Sequence, residues 1–237
     1  MQLFYNPDID ETTESFSFDK EESRHIIKVL RKKDSDILHV TNGSGLLFET
    51  EITLASDNKC TVQILSITKA DKPKFHLHLA VAPTKMNDRF EWFLEKATEI
   101  GIQEITPIIC DRSERKVINK ERFEKIILSA MKQSNETFLP KLNDAISFKD
   151  FIKQQNEGLQ LIAHCEETDK KTLKEILKPN ENVTLLIGPE GDFSEKEIAL
   201  ALEHNYKAVT LGNTRLRTET AAIVACHSVV FFNETPN

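Results

Sequence analysis

LLIGPEGDFSEKEI at residues 185–198 and LGNTRLRTETAAIVA at residues 211–225 decide how this chain folds. Each begins in an apolar run, VTLLIG (183–188) or KAVTL (207–211), whose length and β-branched content suit a buried strand. Each run ends on a glycine loop and passes into a stretch with helical periodicity. Ser194 with Glu197 three residues later opens the first helix as a capping box. Three of the seven glycines, Gly188, Gly191 and Gly212, therefore fall at the C-terminal ends of predicted strands. That edge of a parallel sheet is where ligands bind. Spacing alone fits a tight strand-to-helix turn as well as a ligand loop. The dinucleotide pattern G-x-G-x-x-G and the phosphate loop G-x-x-x-x-G-K-[ST] are both missing.

The same alternation extends backwards. Phe75, Leu77, Leu79 and Val81 alternate as a strand, and Phe90, Phe93, Leu94 and Ala97 mark a helix that ends near Gly101. A strand at 104–110, a helix around Phe123–Met131, a strand at 159–164 and helices near 170–178 and 194–204 follow. A last helix runs from Thr218 to Phe232, and its AAIVACHSVVFF is apolar on nearly all sides. The expectation is an α/β domain over residues 74–237, with a parallel sheet covered by helices on both faces. TKADKPK (68–74) reads as a linker. Residues 1–70 read as a small β-rich domain. A hairpin at 36–41 and 46–54 turns on Asn42-Gly43-Ser44-Gly45, and a third strand lies near 60–67. One helix opens at Asp19, with Ile26, Ile27, Val29 and Leu30 on one side and Arg24, Lys28 and Arg31 on the other.

Composition removes several function classes. The chain has 237 residues, 39% of them hydrophobic, enough for one large or two small cores. No apolar run reaches membrane-spanning length, and MQLFYNPDIDETTESF lacks the basic and apolar regions of a secretory signal. A cytoplasmic protein with no membrane partner is expected. Cys60, Cys110, Cys165 and Cys226 are too dispersed for a zinc or redox motif. His76 and His78 share a strand face without a third ligand, so no metal is expected. The net charge of −7 argues against nucleic acid as a partner until its distribution is considered. Residues 24–33, RHIIKVLRKK, hold Arg24, Lys28, Arg31, Lys32 and Lys33 without an acid, and residues 112–125 hold Arg112, Arg115 and four further cations. These local patches read either as RNA-phosphate contacts or as solvated faces.

Together, LLIGPEGDFSEKEI and LGNTRLRTETAAIVA resemble the signature pair of the SPOUT methyltransferases, and more narrowly of the RsmE family. HIIKVLRKK (25–33), FLEKATEIGIQEITPIICDRSERK (93–116), MKQSNETFLPKL (131–142) and LIAHCEE (161–167) resemble further blocks of that family, so the likeness runs from about Leu3 to Phe232. The resemblance implies a trefoil-knotted C-terminal fold, where pattern alone suggests an open Rossmann-like sheet, and a PUA-like N-terminal β-barrel. It implies S-adenosyl-L-methionine as cofactor and N3 of a uridine in 16S rRNA of the small ribosomal subunit as target. It also implies a homodimer with the site near the interface.

Carried onto this chain, the resemblance makes Ala163, His164, Ile187, Gly188, Leu211, Gly212 and Leu216 the cofactor pocket. Arg217, with Glu219 or Glu190 beside it, becomes the catalytic group, and Arg24, Lys28, Arg31, Arg112 and Arg115 become RNA contacts. The chain departs from the family at three places: Asp192 where a second glycine is usual, Arg215 where isoleucine is common, and Glu136 near an expected arginine. Two other readings are a non-catalytic RNA-binding factor on the same fold and a nucleotide-dependent oxidoreductase. The retained Arg217 and Glu219 count against the first, and the missing fingerprint against the second.

Overall fold

The computed structural model describes residues 1–154, 157–167 and 169–234, so residues 235–237 of the expected second domain lie outside it. The chain forms two compact units: Met1–Lys72 with Met131–Leu139, and Pro73–Ala130 with Pro140–Asn237.

The first unit holds β1 (Leu3–Tyr5), β2 (Ser15–Ser17), α1 (Lys20–Arg24), β3 (Ile37–Thr41), β4 (Leu46–Leu54) and β5 (Thr61–Lys69). They make one five-stranded sheet in the order β1-β3-β4-β5-β2. Only β1–β3 is parallel among its pairs. Register shifts at Glu49/Thr50 and Ile52/Leu54 curl the β4–β5 ribbon. Phe4, Ile26, Val40, Phe48, Ile52 and Val62 fill its concave side. The hairpin needs its glycines. Gly43 and Gly45 have φ of 76° and 93°, and a Cβ on Gly45 would strike the Phe138 ring. Segment 131–139 belongs here because Gly45 donates to the Thr137 carbonyl and Leu139 to the Gly43 carbonyl, at 3.0 and 2.9 Å.

Asp19 caps α1, accepting from the Glu22 amide at 2.7 Å. The helix then widens into a π turn, His25–Val29, in which the Leu30 amide reaches back to the His25 carbonyl. The extra residue per turn advances the helical phase. Val29, expected in the core, is consequently 65% exposed, and Arg31 sits beyond the helix at a left-handed φ of 57°. Arg24, Lys28 and Arg31 are all exposed but do not form a regular i, i+4, i+7 stripe.

The second unit alternates strands and helices as expected: β6 (Leu77–Val81), α2 (Asn87–Ile100), β7 (Glu104–Ile109), α3 (Lys120–Ser134), β8 (Lys141–Leu142), β9 (Ile146–Ser147), α4 (Phe148–Ile152), β10 (Leu159–Ala163), β11 (Lys171–Thr172), α5 (Leu173–Ile176), β12 (Val183–Ile187), α6 (Glu195–Glu203), β13 (Lys207–Thr210) and α7 (Thr218–Asn233). Helix α3 starts in this unit and passes into the first. The helix expected over 170–178 is shorter, because Lys171 and Thr172 pair with β13 and leave one turn before Pro179. The sheet runs β11-β13-β10-β12-β6-β7-β8, with β9 also against β7. All its pairs are parallel.

Every residue of β6 and of β12 is buried, so these central strands do not alternate with solvent. One face packs Ala80, Ile108, Ile162 and Leu186 against Phe148 and Phe151 of α4 and Ile198 and Ala201 of α6. The other face carries α2 and α7, which pack on each other while α7 also rests on β6 and β12. Thus the chain leaves β13 near one edge, and α7 returns to lie on β12 and β6 in the middle of the sheet. On α7, Thr218, Glu219, Ala222, Ala225, Cys226 and Val229 face inward, whereas Phe231 is 64% exposed.

Candidate active site

The loops that follow β10, β12 and β13 meet at the C-terminal edge of the sheet, and the first turn of α7 closes them off. Where the ladders end, at Ala163 beside Ile187 and Val209, the backbones diverge and leave a cleft. One lobe, about 360 Å³, is lined by Ala163, His164, Cys165, Lys170, Val209, Thr210, Leu211, Gly212, Asn213, Thr214, Arg215, Leu216 and Ala221. A second lobe, about 260 Å³, shares Ala163, Cys165, Arg215, Leu216 and Ala221 with it, and adds Ile187, Gly188, Pro189, Glu190, Asp192, Arg217 and Thr218. All seven residues expected to hold a cofactor line this cleft, and so do Arg217 and Glu190.

Each loop has a local cause. Gly212 adopts φ 137°, open only to glycine, and no atom lies within 4 Å of where its Cβ would stand. The Thr210 hydroxyl bridges that turn, donating to the Gly212 carbonyl at 2.9 Å. Thr218 donates from Oγ1 to the Gly188 carbonyl at 3.0 Å, which ties the start of α7 to the loop after β12. Gly188 is small for a different reason than ligand access. A Cβ there would sit 3.1 Å from the Phe193 ring, so the constraint comes from the loop's own packing. Asp192 takes a left-handed φ of 63°, as the family's glycine would, and its carboxylate accepts from the Phe193 and Cys165 amides at 2.8 and 2.7 Å.

His164 is buried, and among the described residues neither ring nitrogen has a hydrogen-bond partner. Burial, then the nearby Lys170 charge, pushes its pKa down, so the ring is neutral, with one donor and one acceptor nitrogen buried beside the cleft. Lys170 donates from Nζ to the His164 and Glu166 carbonyls at 3.0 and 2.7 Å, folding the loop over its own stem. Unpartnered imidazole nitrogens, exposed backbone and the aliphatic walls of Ala163, Val209, Leu211 and Leu216 suit a polar heteroaromatic ring of nucleoside size.

The carboxylates separate. Glu190 stays on the cleft wall, where its Oε1 accepts from the Lys85 amide at 2.9 Å. Glu219 points away from the cleft. It is buried in the first turn of α7, 3.9 Å from Arg89 Nε, and among the described residues its Oε2 has no hydrogen-bond partner. Arg112 donates to the Gly191 and Phe193 carbonyls at 2.9 and 3.2 Å, bracing the loop after β12. Arg115 donates to the Thr84 and Lys85 carbonyls, the shortest bond being 2.6 Å to Lys85. Lys28 pairs with Asp57 at 3.3 Å on the surface of the first unit. Cys165, Lys170, Asn213 and Thr214 were not anticipated in the cleft. Only their adjacence to His164 and Gly212 signals them in the sequence. Among the described residues no cluster of His, Cys, Asp and Glu could hold a metal, and no helix is long and apolar enough to cross a membrane.

Residues 71–230 match the family model of the RNA methyltransferase domain, and residues 18–65 match that of the RNA methyltransferase PUA domain. Ribosomal RNA small subunit methyltransferase E of Rickettsia conorii is 34% identical over 209 residues, covering 86% of this chain and 85% of the relative. The chain belongs to the ribosomal RNA small subunit methyltransferase E family. Solved members agree over nearly the whole molecule. A structure described as a "probable rRNA-methyltransferase" from Porphyromonas gingivalis superposes with a TM-score of 0.90 at 37% identity, covering 98% of this chain and 99% of that one. Ribosomal RNA small subunit methyltransferase E from Neisseria gonorrhoeae, solved bound to S-adenosyl methionine, gives 0.86 at 26% identity, covering 98% of each chain. As a member of the family, the chain has an α/β RNA methyltransferase domain and a PUA domain, and it is an RNA methyltransferase.

Proposed function

We propose that this methyltransferase uses S-adenosylmethionine to methylate N3 of a specific uridine in 16S rRNA, acting in the cytoplasm as a homodimer on the assembled small subunit. One observation carries the reading: a single cleft, at the ligand-binding edge of the sheet, holds a nucleoside-sized pocket and, at its far end, Arg217 with Glu190. Bound S-adenosylmethionine supplies a methyl group already activated on a sulfonium, so the protein's task lies with the acceptor.

His164 and the loops at Ile187–Gly188 and Leu211–Gly212 bind and orient the adenosine, with Ala163 and Leu216 against the ring. Uracil N3 carries a proton and becomes nucleophilic when that proton leaves. The resulting negative charge spreads over N3 and both flanking carbonyl oxygens. Arg217, at the N-cap of α7, brings a guanidinium to those oxygens, where a fixed charge lowers the barrier. Glu190, held by the Lys85 amide, takes the proton. Glu219 serves differently, as an acid at the positive end of α7 that steadies the turn bearing Arg217.

The β-rich domain, residues 1–70, grips RNA phosphate through Arg24, Lys28 and Arg31, while residues 74–237 carry catalysis. Arg112 and Arg115, near Gly191 and Lys85, extend the RNA contact toward the cleft. The half-buried Ile223, Val224, Val230 and Phe232 of α7, with the exposed Phe231, supply an apolar face for a second copy. Mass-spectrometric mapping of rRNA from cells with and without the gene tests the assignment. N3-methyluridine should disappear from one position, and its persistence would refute the target. Calorimetry with S-adenosylmethionine, NAD and ATP separates the enzyme from its competitors: binding of none would leave an RNA-binding factor.

A further inference from the structure

The two facing walls of the cleft, the loops after β10 and β12, part company where their ladder ends at Ala163 and Ile187. Beyond that point one side chain spans them. Asp192 Oδ2 accepts from the Cys165 amide at 2.7 Å, across 27 positions of sequence, while Oδ1 accepts from the Phe193 amide at 2.8 Å. An aspartate that merely capped its own turn would need only the second bond. The residue is also fixed from behind. Its amide donates to the Pro189 carbonyl at 2.9 Å, and Arg112 holds the carbonyls of Gly191 and Phe193 on either side of it. A left-handed φ of 63° at a residue other than glycine carries a conformational cost, which is tolerated where the surroundings over-determine it.

We propose that Asp192 is a positioning residue that latches the loop after β10 to the loop after β12, and so fixes the width of the cofactor cleft. The proposal rests on the reading of that cleft as the S-adenosylmethionine site. Two bonds from one carboxylate to two amides are charge-assisted and directional, so the latch sets both separation and register of the walls. Without it, among the described residues Cys165 and its neighbour His164 are tethered to the opposite wall through the strand residues below them. The carboxylate itself acts on backbone groups of the protein, which makes it a determinant of cofactor affinity.

Asp192→Gly is the decisive variant, because glycine adopts the left-handed turn without a Cβ cost while losing both bonds. Thermal stability should therefore stay near wild type while S-adenosylmethionine affinity in calorimetry falls by about tenfold. The KM for cofactor should rise with it, and the single-turnover rate at saturating cofactor should stay within about threefold. Hydrogen exchange at the Cys165 amide should speed up by about tenfold in the ligand-free protein, since that amide loses its acceptor. Asp192→Asn, which tolerates the same backbone and keeps one amide oxygen, should fall between the two in both readouts. Unchanged affinity in Asp192→Gly overturns the proposal, whether or not Cys165 exchange changes. Unchanged Cys165 exchange overturns the latch as well. Wild-type protein that fails to bind S-adenosylmethionine would instead overturn the reading of the cleft, and the exchange data would still decide the latch. If Asp192→Gly unfolds, the same comparison is made between Asp192→Asn and wild type.

Discussion

Replacing His78 by leucine should flatten the acid side of the second unit's stability curve. His78 lies on β6 with its ring edge against Phe151, centroids 5.4 Å apart, and shares a 2.7 Å hydrogen bond with the Thr106 hydroxyl. Burial dominates and pushes its pKa down to about 4 from 6.5. Above the unfolded value both states are neutral and the group contributes nothing to pH dependence. As pH falls below that value the unfolded chain takes up a proton that the folded chain refuses, so stability declines until the folded pKa is reached. The 6.5-to-4 interval, at about 1.36 kcal/mol per unit, amounts to roughly 3 kcal/mol, of which about 2 is lost between pH 7 and 4.5. Trp92, the chain's single tryptophan, sits on α2 of the same unit and reports its unfolding in urea. His78→Leu should start about 1 kcal/mol less stable at pH 7, because Thr106 loses a partner, but lose about 2 kcal/mol less on acidification. His164, also kept neutral by burial, titrates in both proteins and cancels in the comparison. Parallel curves for variant and wild type from pH 7 to 4.5 would show that His78 is not held neutral.

Three other outcomes follow from the site. Arg217→Ala should lower the single-turnover rate at saturating RNA on the order of 10²-fold, the cost of one lost oxyanion donor; a normal saturated rate with a raised KM would reassign Arg217 to gripping RNA. Gly188→Val, whose Cβ would press on the Phe193 ring, should lower the melting temperature and abolish cofactor binding together; lost binding in a variant of unchanged stability would mean the side chain obstructs the ligand directly. Arg24→Ala and Arg31→Ala should each reduce the salt-dependence slope of RNA binding by about one unit, while Lys28→Ala should do less because Asp57 already offsets its charge; equal, undiminished slopes in all three would return these residues to ordinary solvated surface.

The strands at 183–187 and 207–210 and the capping box at Ser194 were legible because buried β-branched runs and end signals are local properties. Length and pattern also located α2, α3, α6 and α7 to within a few residues. The short pieces were not legible. β8, β9 and α4 are built from two to five residues each, too few for a period to emerge, and exist because β7 and the core beneath α4 accept them. The π turn that exposes Val29 is likewise set by tertiary packing. In the cleft, the loop glycines and Arg217 stand out by motif. Glu219's orientation toward Arg89 does not, because a helix's first turn can aim an acid at either neighbour. The tie from Asp192 to Cys165 depends on two loops that meet only in three dimensions.

One of the two neighbours of β6 in the sheet is β12, with Leu77 aligned to Val183. The middle of the sheet therefore cannot close until more than a hundred further residues have been synthesised. Until then β6 has no strand partner on that side, which makes the growing chain slow to fold and exposed to aggregation. All but one element of the cleft arrives later still, and α7 must then travel back across strands already in place. A chain that stops before Arg217 thus lacks α7, with the Thr218 and Ala221 that close the cleft, and the Arg217 guanidinium.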